Sequence, residues 1–299
     1  MPDDAPRTLA SARARAILLV VGSGATCAIA SASVKAVGPD IPLWQIVLFR
    51  NVVGFLALVP VLHAAGGLRM LATRNPLGHV KRILWGLTGM VTVFYGYIHL
   101  PLATVTALGF TMPLFLTALA MLLLKEKVGW RRRSAVGVGF LGVLVMAQPQ
   151  PGEETDIVAV GLVLLGAFAW AMAMLSIKAL GDKGEPAIAI VAWFALGSAV
   201  IGAVFTVPVW VTPNWWQLVL LLTIGLVSAA AQLMMTEAYR TGETTLIAPF
   251  EYSQILWTAA LGALIWYEMP DAWDAVGIAL LVGAGLYIWQ REVALGLRR

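Results

Sequence analysis

The sequence repeats itself across its midpoint. Residues 33–38 read Ser-Val-Lys-Ala-Val-Gly and residues 176–181 read Ser-Ile-Lys-Ala-Leu-Gly, an offset of 176 − 33 = 143. Residues 97–126 return as residues 239–268, an offset of 239 − 97 = 142. A repeat of this length predicts two homologous halves, which we place at residues 1–149 and 150–299.

The composition places both halves in a membrane. Of the 299 residues, 60% are hydrophobic and only 12% are charged, whereas roughly a quarter of an ordinary soluble domain is charged. The positive charges lie in short joints between apolar runs, so the net charge of +4 indicates membrane orientation and does not indicate a nucleic-acid partner. The N-terminal run resembles a secretory signal, but residues 33–38, which would follow the cleavage point, recur as residues 176–181 at the end of another apolar span. The first run therefore belongs to the repeat, and we expect it to be retained. The sequence predicts an all-α integral membrane protein.

Apolar runs bounded by charges, proline and glycine predict ten transmembrane helices. We place them at 15–37, 43–64, 82–99, 102–124, 133–148, 157–180, 187–210, 215–239, 244–267 and 273–291.

The joints between these helices alternate in charge. The predicted inner joints hold Arg7, Arg13, Arg15, Arg69, Arg74, Lys81, Arg82, Lys125, Lys127, Arg131, Arg132, Arg133, Lys183, Arg240, Arg291, Arg298 and Arg299. The predicted outer joints hold Asp40, Glu153, Glu154, Asp156, Asp271 and Asp274, with Lys35 nearby. Because short cytoplasmic loops are rich in Lys and Arg, we expect both termini in the cytoplasm. Each half then has five helices, so the second half enters the bilayer inverted, as in secondary transporters.

Polar residues recur on one face of three predicted helices. The stripes are Thr88, Thr92, Tyr95 and His99 in helix three, Ser228, Gln232 and Thr236 in helix eight, and Glu251, Gln254 and Thr258 in helix nine. In lipid such faces are typical of a lined cavity. The alternative is that the hydroxyls and amides hold helices together, which is common in membrane proteins.

Glu251 and Arg50 are the informative charges. Glu251 lies about seven residues, or about 10 Å, inside predicted helix nine, and Arg50 lies similarly deep in helix two. Their burial predicts either a structural ion pair or a working site. In the second case Glu251 binds a cationic group or a coupling proton, and Arg50 orients an anionic or polar group.

Aromatic side chains extend the candidate site. Tyr95, Trp170, Tyr252 and Trp257 can offer ring faces to a planar or cationic solute, although such residues more often pack. We interpret Lys35 and Lys178, near helix ends, as side chains that reach to the lipid headgroups.

The sequence lacks the motifs of the common catalytic classes. It contains no Gly-Lys pair and therefore no nucleotide-binding phosphate loop, and it has no zinc-protease, nucleophile-elbow or Cys/His motif. We predict no catalytic residue, no cofactor and no metal site.

Several segments resemble the EamA family of ten-helix permeases in the drug/metabolite transporter superfamily. They are residues 48–51, 101–103, 111–115, 125–127, 137–142, 248–252, 267–270 and 277–287. The pattern is most similar to bacterial members that include riboflavin and S-adenosylmethionine transporters, with amino-acid exporters more distant. The resemblance implies a substrate cavity between the halves, with helices five and ten as peripheral supports. The halves differ at the candidate site, where Gly109 aligns with Glu251 and Pro113 with Ile255.

The sequence therefore predicts a secondary transporter of the bacterial inner membrane that moves a small amphipathic, aromatic or cationic metabolite by alternating access. It would act as a monomer or homodimer, with or without a coupling proton. The predicted substrate contacts are Glu251, Gln254, Thr258, Gln232, Tyr95, Thr92, Arg50, Trp170 and Tyr252. The alternatives are an intramembrane lipid-modifying enzyme, and a channel or packing subunit of a larger complex.

Overall fold

All regular secondary structure in the described part of the chain is helical. The computed structural model describes residues 5–112, 114–115, 119, 130–146, 156–241 and 248–296. Its α-helices are α1 (Ala5–Val37), α2 (Leu43–Ala64), α3 (Pro76–His99), α4 (Leu102–Gly109), α5 (Trp130–Met146), α6 (Ile157–Gly181), α7 (Ala187–Thr206), α8 (Trp215–Thr241), α9 (Ser253–Trp266) and α10 (Ala272–Gly296). Short 3₁₀ turns lie at Gly38–Asp40, Gly67–Leu71, Val207–Val209 and Ala248–Tyr252.

Proline and side-chain caps set the helix boundaries. Pro101 separates α3 from α4, because Leu100 before it is extended (φ −125°, ψ 162°). At the start of α8, Asn214 Oδ1 accepts from the Gln217 amide and Gln217 Oε1 accepts from the Asn214 amide, both at 2.9 Å. This reciprocal pair is a capping box. Asp156 caps α6 in the same sense, since its Oδ1 accepts from the Ala159 amide at 2.9 Å.

Most predicted helix boundaries agree with the observed ones to within four residues. The predicted helix at 102–124 is interrupted by a turn after Gly109, and the predicted helix at 273–291 continues to Gly296. Three further helices differ. The predicted helix at 82–99 begins at Pro76, so Lys81 and Arg82 lie within α3 and not in an inner joint. The predicted first helix begins earlier, at Ala5, so the early arginines lie within α1. The predicted helix at 244–267 is α-helical only from Ser253, and Glu251 lies on the preceding 3₁₀ turn. The predicted C-terminal part of helix four and the joints at 125–127 and 153–154 lie outside the described residues.

Five of the described helices are long and apolar enough to cross a membrane. The candidate spans are Ala14–Asp40, Leu43–Ala64, Ile157–Gly181, Ile188–Val209 and Trp215–Met235, and Ala272–Tyr287 is a shorter apolar helix. About 20 apolar residues suffice to cross the hydrocarbon layer. The chain is therefore a multi-pass membrane protein.

The helices pack in pairs drawn from the two halves of the chain. The principal pairs are α1 with α8, α3 with α6, α5 with α10, α2 with α7, α2 with α8, α1 with α9, α4 with α9, α3 with α7, and α4 with α6. Small residues permit the closest approaches. A Cβ at Gly142 of α5 would lie 2.8 Å from the Gly277 carbonyl of α10, so only glycine fits there.

Two polar clusters tie helix ends together at opposite ends of α3. At the C-terminal end, Lys35 of α1 forms an ion pair with Glu268, and its Nζ donates to the Leu100 carbonyl at 2.8 Å. Glu268 Oε2 also accepts from the Leu102 amide at 3.3 Å. The predicted headgroup contact of Lys35 is therefore wrong, because a carboxylate 233 residues away receives its ammonium. The side chain of Lys178 lies outside the described residues.

At the other end of α3, Glu185 binds the segment that leads into the helix. Its carboxylate accepts from the Thr73 hydroxyl and from the Arg74 amide at 3.3 Å. His79 Nε2 lies 3.3 Å from Glu185 Oε2, and both side chains are buried. The Thr73 hydrogen bond holds the pKa of the Glu185 carboxyl below its usual value.

Candidate functional site

Glu251 occupies the turn that leads into α9, and its neighbour Tyr252 fixes that turn. The Tyr252 ring packs on Phe110 with centroids 4.7 Å apart. Its hydroxyl lies over α10, where a Cβ at Gly285 would be only 1.8 Å from the oxygen. The side chain of Glu251 is half-buried beside it. Tyr252 therefore packs and orients the turn, which leaves Glu251 as its charged group.

The start of α9 lies directly against α1. A Cβ at Gly24 would lie 3.3 Å from Ser253 Oγ and 3.4 Å from the Gln254 amide nitrogen. Thr258, one turn further along α9, is fully buried, and its hydroxyl donates to the carbonyls of Gln254 (3.0 Å) and Ile255 (3.1 Å). The Thr258 hydroxyl is thus satisfied within its own helix, whereas Gln254 lies next to the charged turn.

Arg50 lies in α2, seven residues after Leu43, and is half-buried. Its guanidinium carbon is 6.0 Å from the Phe94 ring centroid, and Nη1 makes a long contact of 3.5 Å to Asn51 Oδ1. Cys27 of α1 lies within electrostatic range of both Arg50 and Glu251. Cys27 of α1, Arg50 of α2 and Glu251 of the turn before α9 are therefore near enough to influence one another electrostatically. Whether Arg50 and Glu251 pair directly stays a prediction.

The predicted contacts on α3 and α6 have other surroundings. Thr92 is buried, and its hydroxyl donates to the Thr88 carbonyl at 2.9 Å. It also abuts α6, because a Cβ at Gly166 would lie 2.6 Å from that hydroxyl. Tyr95 stacks on His99 with centroids 3.9 Å apart. These contacts are typical of helix packing.

The two remaining predicted contacts and Trp257 lie on exposed surface. Trp170 is 44% exposed on α6 and Trp257 is 42% exposed on α9. Gln232 is exposed on α8. Glu251, Tyr252, Gln254 and Thr258 thus lie together at the start of α9, and Arg50 lies near Phe94 of α3.

Sequence reasoning missed two long-range pairs of polar side chains and the burial of Arg82. Lys35 with Glu268 and His79 with Glu185 are long-range pairs whose partners carry no local signal. Arg82 was assigned to a loop, although six residues of α3 precede it. A helix that begins at Pro76 was the available signal, because proline is favoured at the first helical position.

A separate apolar crevice of about 310 Å³ lies between α3 and α7. It is lined by Val80, Ile83, Leu84, Trp193, Leu196, Gly197, Val200 and Ile201. None of the predicted contacts belongs to it. Its apolar walls and exposed rim suit an acyl chain better than a polar solute.

A multi-pass helical protein with ionisable side chains in its interior has the features of a membrane transport protein. The model of the EamA-like transporter family matches residues 14–148 and 157–289. The chain therefore belongs to the EamA-like transporter family, as the sequence predicted.

Several relatives with assigned activities are named for transport. The S-adenosylmethionine uptake transporter of Rickettsia prowazekii is 27% identical over 258 residues, which is 86% of each chain. The pseudopaline exporter CntI of Pseudomonas aeruginosa is 29% identical and covers 90% of this chain and 93% of its own. The riboflavin transporter of Vibrio cholerae is 26% identical over 84% of each chain. These names favour a transporter and do not favour the intramembrane enzyme.

One solved structure shares the fold. It superposes with a TM-score of 0.62 over 92% of this chain and 96% of its own, at 17% sequence identity.

Proposed function

We propose that the protein is a secondary transporter of the bacterial inner membrane that moves a small amphipathic, aromatic or cationic metabolite by alternating access. Its two five-helix halves, residues 1–149 and 150–299, are inverted relative to one another and enclose the site. The observation that carries the proposal is the pattern of helix packing. Equivalent helices of the two halves are α1 and α6, α2 and α7, and so on to α5 and α10. If each helix is replaced by its equivalent, the contact α1–α8 becomes α6–α3, α2–α8 becomes α7–α3, and α1–α9 becomes α6–α4. All of these pairs are present.

The polar clusters support the inversion. Lys35 joins the C-terminal end of α1 to the C-terminal end of α3, through the Leu100 carbonyl. Glu185 follows α6 and contacts the segment before α3. The end of α6 therefore meets the start of α3, whereas the end of α1 meets the end of α3. Helices α1 and α6, which carry the same repeat, run in opposite directions on this reasoning. With five helices per half, both termini lie on one side, which the Lys and Arg distribution assigns to the cytoplasm.

The Lys35–Glu268 pair supplies a closure at one mouth of the site. It joins α1, α9 and the break between α3 and α4, all of which border the interior. The repeat predicts a counterpart at the other mouth, because 35 + 143 = 178 is a lysine and 268 − 142 = 126 is a glutamate. In alternating access one closure opens as the other forms. Lys178 and Glu126 are the counterpart by sequence, and their side chains lie outside the described residues.

Glu251 is the leading substrate or proton-binding residue. It lies on a turn between two packed helices, and a carboxylate in the bilayer interior is costly unless it binds a partner or a proton. The relatives named for S-adenosylmethionine and riboflavin support a small metabolite substrate, since each covers most of this chain. One chain supplies both halves of the site, so the mechanism requires no second copy.

Counterflow in proteoliposomes tests the proposal. Purified protein is reconstituted and loaded with S-adenosylmethionine or riboflavin, and entry of the labelled solute is measured. A carrier exchanges solute against its gradient, whereas a channel or packing subunit gives no countertransport and an enzyme gives product. Exchange of neither solute would contradict the proposal.

The role of Glu251 has its own test. The substitution Glu251→Gln should abolish counterflow or remove its pH dependence while the protein stays folded, because the amide cannot ionise. Asp40→Asn, at an exposed turn outside the helices, removes the same charge and is the control. Unchanged counterflow with an intact pH dependence in the Glu251 variant refutes a working role.

A further inference from the structure

Arg82 is a buried cation that the proposed mechanism does not yet use. It lies in α3, and only 8% of it is exposed. Its guanidinium extends along the helix, because a Cβ at Gly86 would lie 1.9 Å from Nη1. The guanidinium carbon lies 4.1 Å from the ring centroid of Phe194 on α7. The absence of a side chain at Gly86 thus lets Arg82 reach further into the protein.

The guanidinium has no anion among the described residues. Its buried Nε and Nη1 atoms lack a hydrogen-bond acceptor there. The carboxylate of Glu185, which contacts His79 one turn earlier on α3, is held by Thr73, the Arg74 amide and His79. Buried N–H groups without an acceptor are costly, so a purely structural Arg82 is expected to have acceptors for Nε and Nη1.

A second cation adds to this charge. Arg82 lies within electrostatic range of Arg50, and the two side chains repel one another. Arg50 makes only a long contact to Asn51 and approaches the Phe94 ring. Two guanidinium groups in a membrane interior create a positive potential that an anionic group from outside the protein can relieve.

The second half of the chain shows that the fold does not need a cation here. Residues 97–126 of the first copy return as residues 239–268, an offset of 239 − 97 = 142. The same offset pairs Arg82 with Ile224, which is fully buried. An apolar residue therefore fills the equivalent place, and the cation in the first half has a purpose other than packing.

We propose that Arg82 binds a carboxylate of the transported solute, and that Arg50 adds to the positive potential around it. Guanidinium groups are suited to this task, because their N–H donors match the two oxygens of a carboxylate. With Glu251 on the other side of the interior, the site takes a solute that carries both a negative and a positive group. This inference rests on the proposed function, and it names the charge pattern of the substrate.

The test compares two solutes that differ only in the carboxylate. S-adenosylmethionine carries a carboxylate, an amine and a sulfonium, and its decarboxylated form keeps the last two. Counterflow of both is measured for the wild type, Arg82→Gln, Arg82→Lys and Gly86→Ala. Lys81→Gln is the control, because Lys81 is the exposed neighbour and loses the same charge. Gly86→Ala keeps the charge but displaces the flexible end of Arg82 and the Phe194 ring edge.

The wild type should prefer S-adenosylmethionine to its decarboxylated form. Arg82→Gln should reduce that preference roughly tenfold or more, chiefly through KM, because a charged hydrogen bond is lost. Gly86→Ala should reduce it in the same direction, Arg82→Lys should retain part of it, and Lys81→Gln should leave it unchanged.

Other results overturn the inference in distinguishable ways. The inference on Arg82 fails, while the transporter proposal stands, if the wild type transports both solutes equally. It also fails if folded Arg82→Gln and Gly86→Ala keep the wild-type preference for S-adenosylmethionine. Exchange of riboflavin alone overturns only the inference, because riboflavin has no carboxylate. If Arg82→Gln changes only the dependence of thermal stability on anionic lipid, the anion is a headgroup phosphate and the inference fails. Exchange of no solute overturns the proposed function and this inference together.

Discussion

Breaking the Lys35–Glu268 pair should open one mouth of the protein. The two side chains are only 11% and 23% exposed, so solvent screens them weakly. At an effective dielectric constant of about 20, unit charges about 4 Å apart attract by about 4 kcal/mol. Dehydration and lost rotamer freedom reduce the net coupling to about 2 kcal/mol. Removal of one partner should then shift the equilibrium about thirtyfold toward the state that is open at this mouth.

Cys27 provides the assay without any added label site. It is the single cysteine of the chain and lies in α1, within electrostatic range of both Arg50 and Glu251. A membrane-impermeant thiol reagent applied from the Lys35 side should modify Cys27 faster in Lys35→Ala, by up to about thirtyfold. Glu268→Gln should behave alike.

The charge-reversed double variant, Lys35→Glu with Glu268→Lys, tests whether the ion pair itself is responsible. It should return the labelling rate toward that of the wild type, because the attraction is restored. Lys81→Ala removes an exposed lysine elsewhere and controls for net charge. If the single variants label at the wild-type rate, or if the double variant labels as fast as the single ones, the pair is not a closure.

The turn and the Glu185 cluster yield two further predictions. Gly285→Ala should displace the Tyr252 ring, destabilise the protein by about 1–3 kcal/mol and weaken transport. Gly283→Ala is the control, because a Cβ there meets no neighbour within 4 Å, and it should leave stability and transport unchanged. Thermal unfolding measures the stability of each variant, and counterflow measures its transport. Because the Thr73 hydroxyl lowers the pKa of Glu185, that carboxylate stabilises the fold at neutral pH and loses its contribution as pH falls through the lowered pKa. Glu185→Gln should therefore lower the Tm at pH 7, and the deficit should shrink in acid; a deficit independent of pH contradicts this.

Local sequence signals were enough to predict most of the helices. The second helix is observed at the predicted residues 43–64, because Pro42 precedes it and the apolar run ends with it. The turn at Ala248–Tyr252 was predicted as α-helix. Residues three apart, such as Glu251 and Gln254, lie on nearly the same face in a 3₁₀ turn and in an α-helix, so their spacing fits either. A helical period alone could not reveal which of the two a segment adopts.

The candidate site was only partly predictable, because a stripe of polar residues does not say what it faces. Thr92 and Glu251 both belong to predicted stripes, but Thr92 abuts Gly166 of a neighbouring helix. Lys35 and Glu268 are 233 residues apart, so their contact follows from the packing of α1 beside α9 and from no local pattern. The burial of Arg82 likewise depends on a glycine one turn later and a ring on another helix.

The stack of Phe110 on Tyr252 joins two positions that are 252 − 110 = 142 residues apart, which is the offset of the repeat. In the proposed inverted arrangement, equivalent residues touch each other only along the axis that relates the two copies, so these rings would mark that axis. A dimer of two identical subunits would have to carry the same side chain on both sides of such an axis. A single polypeptide that carries both copies has no such constraint, and here Gly109 of the first copy corresponds to Glu251 of the second.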